Sequence, residues 1–155
     1  MVASDAGRSE LMDEEQRLFH KRAYAHIATV GSDGAPQVTP VWIELHDGKP
    51  RFSTVKGRIK HRNLQRDPRV ALSLIDPKSG SRFVQVRGTV TLEDDIGEQL
   101  IWRLARKYMG KRANDWKPAP GERVIVTVHP GSISSRWRSD QAAATSGARP
   151  ARRAR

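Results

Sequence analysis

The sequence predicts a mainly β protein with helices on its flanks, in which an antiparallel sheet is closed or nearly closed. Short runs rich in Val, Ile, Thr and aromatic residues recur along the chain and are separated by turn signals. One of these signals, Asp47-Gly48, is typical of a tight hairpin between antiparallel strands. The strand–helix–strand rhythm of parallel sheets does not occur. With 155 residues, the chain has the length of one domain.

The predicted elements follow one another as a helix, three strands, a short helix, two strands, a helix and two strands. Capping residues and apolar spacing predict helices over residues 13–24, 57–66 and 94–109. The third helix has an apolar stripe formed by Ile96, Leu100, Leu104 and Tyr108. Strands are predicted over residues 26–30, 37–45, 51–55, 70–75, 82–92, 123–129 and 132–137. Gly88 lies within the longest of them and indicates a bulge or a bend.

The two ends of the chain differ in composition from its middle. Residues 1–12 are predicted to be a flexible N-terminus, residues 13–138 the folded domain, and residues 139–155 a disordered basic tail. No apolar run approaches the roughly 20 residues that a membrane span requires. The first ten residues lack the apolar stretch of a secretory signal, and the chain has no cysteine. These features predict a cytoplasmic protein without a membrane partner.

The net charge of +11 predicts an anionic partner. Between residues 49 and 69, eight basic residues stand against a single acid, Asp67. Charge alone does not distinguish nucleic acid from a phosphorylated cofactor. The basic residues are not interleaved with aromatic ones, and no helix-turn-helix or zinc-finger pattern occurs, so nucleic acid is the less favoured partner. The five histidines are scattered without a ligand spacing, so no metal site is predicted.

Four segments, taken in order, resemble proteins of the pyridoxamine 5'-phosphate oxidase-like superfamily. Residues 26–42 are similar to their opening hairpin, residues 52–70 to their phosphate-binding strand and helix, and residues 86–90 and 123–128 to later strands. Within the superfamily, the chain is most similar to the actinobacterial branch that uses the deazaflavin coenzyme F-420. The resemblance implies a split β-barrel of the FMN-binding type that forms a homodimer, with two cofactor sites at the subunit interface.

The resemblance also implies which residues form the cofactor site. Arg58 and Lys60 match a phosphate clamp, and Thr39, Pro40 and Val41 match the strand beside the ring. The full set of implied cofactor-binding residues is Thr39, Pro40, Val41, Ser53, Thr54, Lys56, Arg58, Lys60, Asn63 and Trp137. Candidates to line the exit of a longer anionic tail are Lys49, Arg51, Lys56 and Arg62.

The clamp has a physical rationale and an alternative interpretation. Two cations that are close in sequence, with hydroxyl groups nearby, supply the fixed donors that a phosphate needs. Arg58 lies where the chain enters a helix, so free backbone N–H groups and the helix dipole add to the attraction. The same basic residues would also be typical of a solvated helix face without a ligand. Pro40 within a strand is compatible with a sheet edge, with or without a ligand beside it.

The resemblance implies an F-420-dependent reductase that transfers a hydride from the reduced deazaflavin to a small unsaturated or heterocyclic acceptor. The surplus of Lys and Arg around the clamp suits the anionic tail of F-420. Three alternatives remain open: an FMN-dependent oxidoreductase, a cofactor carrier without turnover, and a nucleic-acid-binding protein. Because the cofactor would carry the chemistry, the sequence identifies no catalytic acid or base.

Overall fold

The computed structural model describes residues 7–136. The helices are α1 (Asp13–Phe19), α2 (Ile59–Arg66) and α3 (Gln99–Met109), the last followed by a 3-10 turn over Gly110–Asn114. The strands are β1 (Ala25–Val30), β2 (Pro36–Val41), β3 (Glu44–His46), β4 (Lys49–Val55), β5 (Arg69–Asp76), β6 (Ser79–Asp94) and β7 (Arg123–Arg136). The predicted tail over residues 139–155 lies outside the described residues.

The seven strands form one antiparallel sheet in the order β2-β1-β5-β6-β7-β4-β3. β2 and β3 are its two edges, and only Trp42 and Ile43 join them along the chain. The sheet therefore has to curl until its edges approach each other, and it forms a split β-barrel. This confirms the predicted barrel. Alternate residues of each strand point inward, and fully buried ones such as Ile27, Phe52 and Leu72 fill the interior.

A β-bulge at Gly88 lies where the two longest strands, β6 and β7, pair with each other. It confirms the bulge or bend that the sequence predicts at this glycine. Arg87 pairs with Ser132 and Gly88 with Pro130, which leaves Gly131 of β7 without a partner in the register. A Cβ atom on Gly88 would lie 2.0 Å from the carbonyl oxygen of His129, so only glycine fits there. Because the bulge preserves pairing on both sides, residues 123–136 form one strand, and the predicted division into two strands was wrong.

The N-terminal helix is shorter than predicted because tertiary contacts end it. It stops at Phe19 rather than at residue 24. The carbonyl oxygen of Phe19 accepts a hydrogen bond from Lys107 Nζ, and that of Ala23 accepts one from Tyr108 Oη at 2.7 Å. Both donors lie on α3. The carbonyl groups at the end of α1 and just after it therefore accept hydrogen bonds from α3 instead of continuing the hydrogen bonds of α1.

Residues 8–12 lie in the segment that the sequence predicts to be flexible, yet they pack on the barrel. Arg8 forms two hydrogen bonds with the Glu15 carboxylate, at 2.6 and 2.7 Å, and its carbonyl oxygen accepts one from the backbone N–H of Ile133. Leu11 is buried in the core, 7% exposed. The beginning of the chain is thus held by both a buried ion pair and an apolar contact.

The start of α3 also differs from the prediction. The helix begins at Gln99 rather than at residue 94, because Gly97 and Glu98 have positive φ angles of 79° and 56°. Asp95 caps it: its carboxylate accepts hydrogen bonds from the backbone N–H groups of Gln99 and Leu100 at 3.0 Å each. Ile96 is 85% exposed and does not belong to the apolar stripe, whereas Leu100, Leu104 and Tyr108 are buried as predicted.

Asp95→Ala is expected to lower the free energy of unfolding by about 1–2 kcal/mol, because the first N–H groups of α3 lose their acceptor. Urea denaturation measures the change. Asp94→Ala is the matched control: its carboxylate makes an exposed ion pair with Lys56, whose loss costs less than about 1 kcal/mol. Equal losses in the two variants would contradict the capping role.

The strand predicted over residues 37–45 is interrupted after Val41. Ile43 leaves the strand direction and is completely buried, and its backbone N–H donates to Tyr108 Oη at 3.1 Å. The backbone therefore turns toward α3 at this point and separates β2 from β3. None of the helices between residues 7 and 136 has both the length and the apolar composition that a membrane crossing requires.

Candidate functional site

A cavity of about 290 Å³ opens at the split of the barrel, between β2, β4, the start of α2 and α3. Six of the ten predicted cofactor-binding residues line it: Pro40, Val41, Ser53, Thr54, Arg58 and Lys60. These residues come from β2, from β4 and from the segment that leads into α2. The structure thus brings the predicted clamp and the predicted ring-side strand to the same cavity.

One end of the cavity is strongly cationic. Arg58 and Lys60 lie there with Arg123, the first residue of β7. Within residues 7–136, none of these three side chains forms an ion pair with a carboxylate. Burial, and then the charge of Arg58, lower the pKa of both Lys60 and Arg123. The three positive charges are therefore close together and are not neutralised by the protein.

Two buried polar atoms at this cavity lack a hydrogen-bond partner within the described residues. They are Ser53 Oγ and Arg123 Nε. Buried polar atoms are nearly always paired, because an unmade hydrogen bond costs free energy. Both atoms can donate to an oxygen atom, and the neighbouring charges favour an anion. The donor set therefore fits the phosphate of a cofactor.

The turn that carries Arg58 is fixed by hydrogen bonds and by a glycine. Gly57 has a φ angle of 84°, which strongly favours glycine. The backbone N–H of Arg58 donates to the carbonyl oxygen of Val55 at 3.2 Å, and that of Gly57 donates to His61 Nδ1 at 3.1 Å. Burial lowers the pKa of His61, so Nδ1 remains a hydrogen-bond acceptor at neutral pH. This arrangement holds Arg58 at the cavity before any ligand binds.

Three of the other predicted cofactor-binding residues, all in the described part of the chain, are not among those that line the cavity. Lys56 pairs with Asp94 at 2.9 Å and with Glu122 at 3.5 Å. Asn63 is buried and donates to Thr29 Oγ1 at 3.0 Å, so it connects α2 to β1. Thr39 lies on β2, beside the cavity wall, and its buried Oγ1 has no partner within residues 7–136. Trp137 lies outside the described residues.

The three other candidates for the tail exit are also absent from the cavity walls. Arg51 Nε donates to Glu44 Oε1 at 2.7 Å, so its charge is neutralised by a neighbouring strand. Lys49 and Arg62 are exposed on the surface.

Aromatic side chains that the sequence did not assign to the site form another part of the cavity wall. Trp42 is stacked on Tyr108, with ring centroids 5.5 Å apart and an interplanar angle of 11°. Trp116 lies against Trp42 at 5.5 Å, and Trp102 meets Trp116 edge to face at 5.7 Å. Trp42 and Trp116 line the cavity, and the sequence analysis assigned neither to the cofactor site. No sequence spacing connects residues 42 and 116, so only the fold reveals this wall.

A second groove, of about 410 Å³, lies over β1, β2, β5 and β6 and is lined mainly by small apolar residues such as Ala28, Val30 and Ala71. It also includes Arg69 and Arg87. Arg69 is paired with Asp67 at 2.7 Å. None of the unpartnered buried side-chain atoms found between residues 7 and 136 belongs to this groove. The cavity at the split is therefore the stronger candidate for a cofactor site.

Residues 11–136 match the family model described as pyridoxamine 5'-phosphate oxidase. Among solved structures, an F-420 reductase is 31% identical, with a TM-score of 0.68 over 79% of this chain and 98% of that chain. A conserved hypothetical protein from Mycobacterium tuberculosis is 23% identical, with a TM-score of 0.66 over 83% of this chain and 86% of that chain. An FAD-binding protein from Mesorhizobium loti is 22% identical, with a TM-score of 0.59 over 81% of this chain and 94% of that chain.

A split β-barrel with a cationic cavity at the split defines a class of proteins with an oxidoreductase fold. The chain belongs to the pyridoxamine 5'-phosphate oxidase family, since the family model matches most of its length. This confirms the resemblance found in the sequence.

Proposed function

We propose that this protein is an F-420-dependent reductase whose cofactor occupies the cavity at the split. The observation that carries the proposal is a group of three cations for which residues 7–136 supply no carboxylate partner, at one end of a cavity walled by Trp42 and Trp116. A cofactor with an anionic chain attached to a flat ring is complementary to this cavity, because the chain matches the cations and the ring matches the aromatic wall. The similarity to an F-420 reductase over nearly the whole of that chain supports the choice of cofactor.

Different groups of cavity residues bind different portions of the cofactor. Arg58 and Lys60 hold the phosphate, and Ser53 donates a further hydrogen bond to it. Pro40 and Val41, on the edge strand β2, lie along the ring, and the indole groups exclude water from it. Trp137, Lys56, Asn63 and Thr39 remain predictions from the family resemblance. When bound, F-420 supplies a hydride for transfer to an unsaturated or heterocyclic acceptor.

The protein itself contributes orientation and a dry surface, and the bound cofactor supplies the chemistry. The described cavity walls contain no carboxylate and no histidine. The titratable groups among them are Tyr24 and the three cations. We therefore assign no catalytic acid or base, and the acceptor is selected by the shape and apolar character of the cavity.

The proposal includes a homodimer in which the partner completes the site. Val38 and Ile75, on the outer face of the sheet, are 60% and 45% exposed, and Tyr24 at the cavity is 54% exposed. Val38 lies two residues before Pro40 on β2, so this apolar surface continues to the cavity mouth. A second copy that covers the surface would remove it from water and enclose the ring.

Fluorescence titration of the purified protein with F-420 and, separately, with FMN at matched salt tests the proposal. We expect F-420 to bind with a micromolar or lower dissociation constant and more tightly than FMN. A preference for FMN would favour the alternative of an FMN-dependent oxidoreductase on the same fold. Binding of neither would overturn the proposal.

Turnover separates a reductase from a carrier protein. With reduced F-420 and a panel of activated alkenes and nitrogen heterocycles, a reductase returns the absorbance of the oxidised deazaflavin at a rate proportional to enzyme concentration. Tight binding without any acceptor-dependent oxidation would favour the carrier.

A further inference from the structure

Arg123 is a buried guanidinium that the family resemblance did not indicate. It is 7% exposed and lines the cavity beside Arg58 and Lys60. Its Nη2 donates to the carbonyl oxygen of Ala119 at 3.0 Å, whereas its Nε has no partner within residues 7–136. A buried charged donor without an acceptor is unfavourable, so a ligand that supplies the acceptor would remove an existing cost.

The backbone around Arg123 fixes its position. The carbonyl oxygen of Arg123 accepts a hydrogen bond from the backbone N–H of Asp95 at 2.9 Å. Gly121, two residues earlier, has a φ angle of 123°, and a Cβ atom there would lie 2.5 Å from Val55 Cγ1. The loop therefore passes close to β4, and the start of β7 pairs directly with the end of β4 at Val55. The backbone at Arg123 is therefore held in place, and the bond from Nη2 to Ala119 orients the guanidinium.

The charges around Arg123 leave a positive excess. Glu98 and Asp95 raise the pKa of Arg123 to a smaller extent than burial and the charge of Arg58 lower it. The Asp95 carboxylate is also occupied by the N–H groups at the start of α3. Three cations therefore face the cavity end, and a single negative charge would leave most of this excess in place.

We propose that Arg123 is a third anion-binding residue, and that through it the site selects a cofactor whose end carries two negative charges close together. The identity of the ring rests on the proposed function, whereas the preference for a doubly charged end does not depend on it. Two sources have this chemistry. One is a phosphate monoester, as in FMN, and the other is a phosphodiester followed by carboxylates, as in F-420.

The test compares each cofactor with its counterpart that lacks the anionic end. The pairs are FMN with riboflavin, and F-420 with the deazaflavin alcohol that lacks the phospholactyl-glutamate chain. Arg123→Gln is expected to weaken the binding of the anionic member by about tenfold or more and that of the neutral member by less than about twofold. Arg123→Lys should recover part of the loss. The pair with the larger change identifies the source of the two charges.

Arg112→Gln is the matched control. Arg112 is exposed on the 3-10 turn, and its substitution removes the same charge as Arg123→Gln does. Unchanged affinity of Arg123→Gln for both anionic cofactors, or an equal loss for the neutral and anionic members, would overturn the inference. If Arg123→Gln does not fold, the same comparison is made with Arg123→Lys, which keeps the charge but not the planar fork of donors.

Inorganic pyrophosphate distinguishes a failure of this inference from a failure of the proposed function. Even if neither ring cofactor binds the native protein, pyrophosphate should raise its melting temperature and should raise that of Arg123→Gln clearly less. Equal stabilisation of the native protein, Arg112→Gln and Arg123→Gln would contradict a role of Arg123 in anion binding.

Discussion

Replacing Arg58 and Lys60 together by glutamine is expected to weaken F-420 binding by about a hundredfold or more. Each hydrogen bond between a charged donor and a phosphate oxygen contributes about 1.5–3 kcal/mol, and the double variant loses at least two of them. The two side chains have no carboxylate partner within residues 7–136, so their removal leaves no buried acid unpaired. The loss should therefore appear in binding rather than in folding. Fluorescence titration measures the affinity, and urea denaturation measures the stability.

A double variant of two other basic residues controls for the change of net charge. Lys111 and Arg112 are exposed on the 3-10 turn and do not line the cavity, so Lys111→Gln/Arg112→Gln should bind F-420 nearly as the native protein does. If the two double variants bind equally well, the basic residues around α2 are a solvated helix face. The clamp interpretation is then wrong, although the fold remains the same.

Arg8→Ala is expected to destabilise the protein by about 3 kcal/mol, because it removes the partner of a buried carboxylate. Glu15 is 0% exposed, and besides its two bonds with Arg8 it accepts one from the backbone N–H of Met12 at 2.9 Å. Urea denaturation at neutral pH measures the loss. Arg17→Ala, on the exposed face of the same helix, is the control and should cost much less. Similar losses in the two variants would contradict the account of how the N-terminus is held.

The ion pair between Arg8 and Glu15 also predicts that the native protein and Arg8→Ala differ in how their free energy of unfolding depends on pH. Burial raises the pKa of Glu15, but hydrogen bonds from Arg8, Ser135 and the backbone of Met12 outweigh it, and the pKa lies below its ordinary value of 4.5. A lowered pKa means that this stabilisation is present above about pH 4.5 and is lost as the pH falls through the pKa of the folded state. Without Arg8, Glu15 loses the largest of the interactions that lower its pKa. The loss of stability in Arg8→Ala relative to the native protein should therefore be largest at neutral pH and should shrink as the pH becomes acidic. A loss that stays constant with pH would contradict the ion pair.

Local pattern in the sequence was sufficient to predict most of the strands. Alternation of apolar residues with a period of two marks strands wherever one face is buried. The clamp of Arg58 and Lys60 was predicted from the family resemblance, because basic residues at the start of a helix are also typical of a solvated helix face. The end of α1 could not be predicted in this way, because it depends on bonds to α3 such as that from Tyr108 to Ala23. The start of α3 depends on the positive φ angles of Gly97 and Glu98.

The rest of the site depends on strand register, which local pattern does not reveal. Arg123 reaches the cavity because it pairs with Val55, and Trp116 does so because the loop before β7 crosses the split. The break between β2 and β3 arises from contacts of Ile43 with α3. A register shift of one residue in β7 would have turned Arg123 to the other face of the sheet.

A crystal structure of the protein with F-420 is the most direct test of the central claim, which is that the cavity at the split holds the anionic end of the cofactor. We expect a phosphate within hydrogen-bonding distance of Arg58 and Lys60, with the ring beside Pro40 and Val41. A cofactor bound instead in the groove of Ala28, Val30 and Ala71, with the three cations left free, would contradict it.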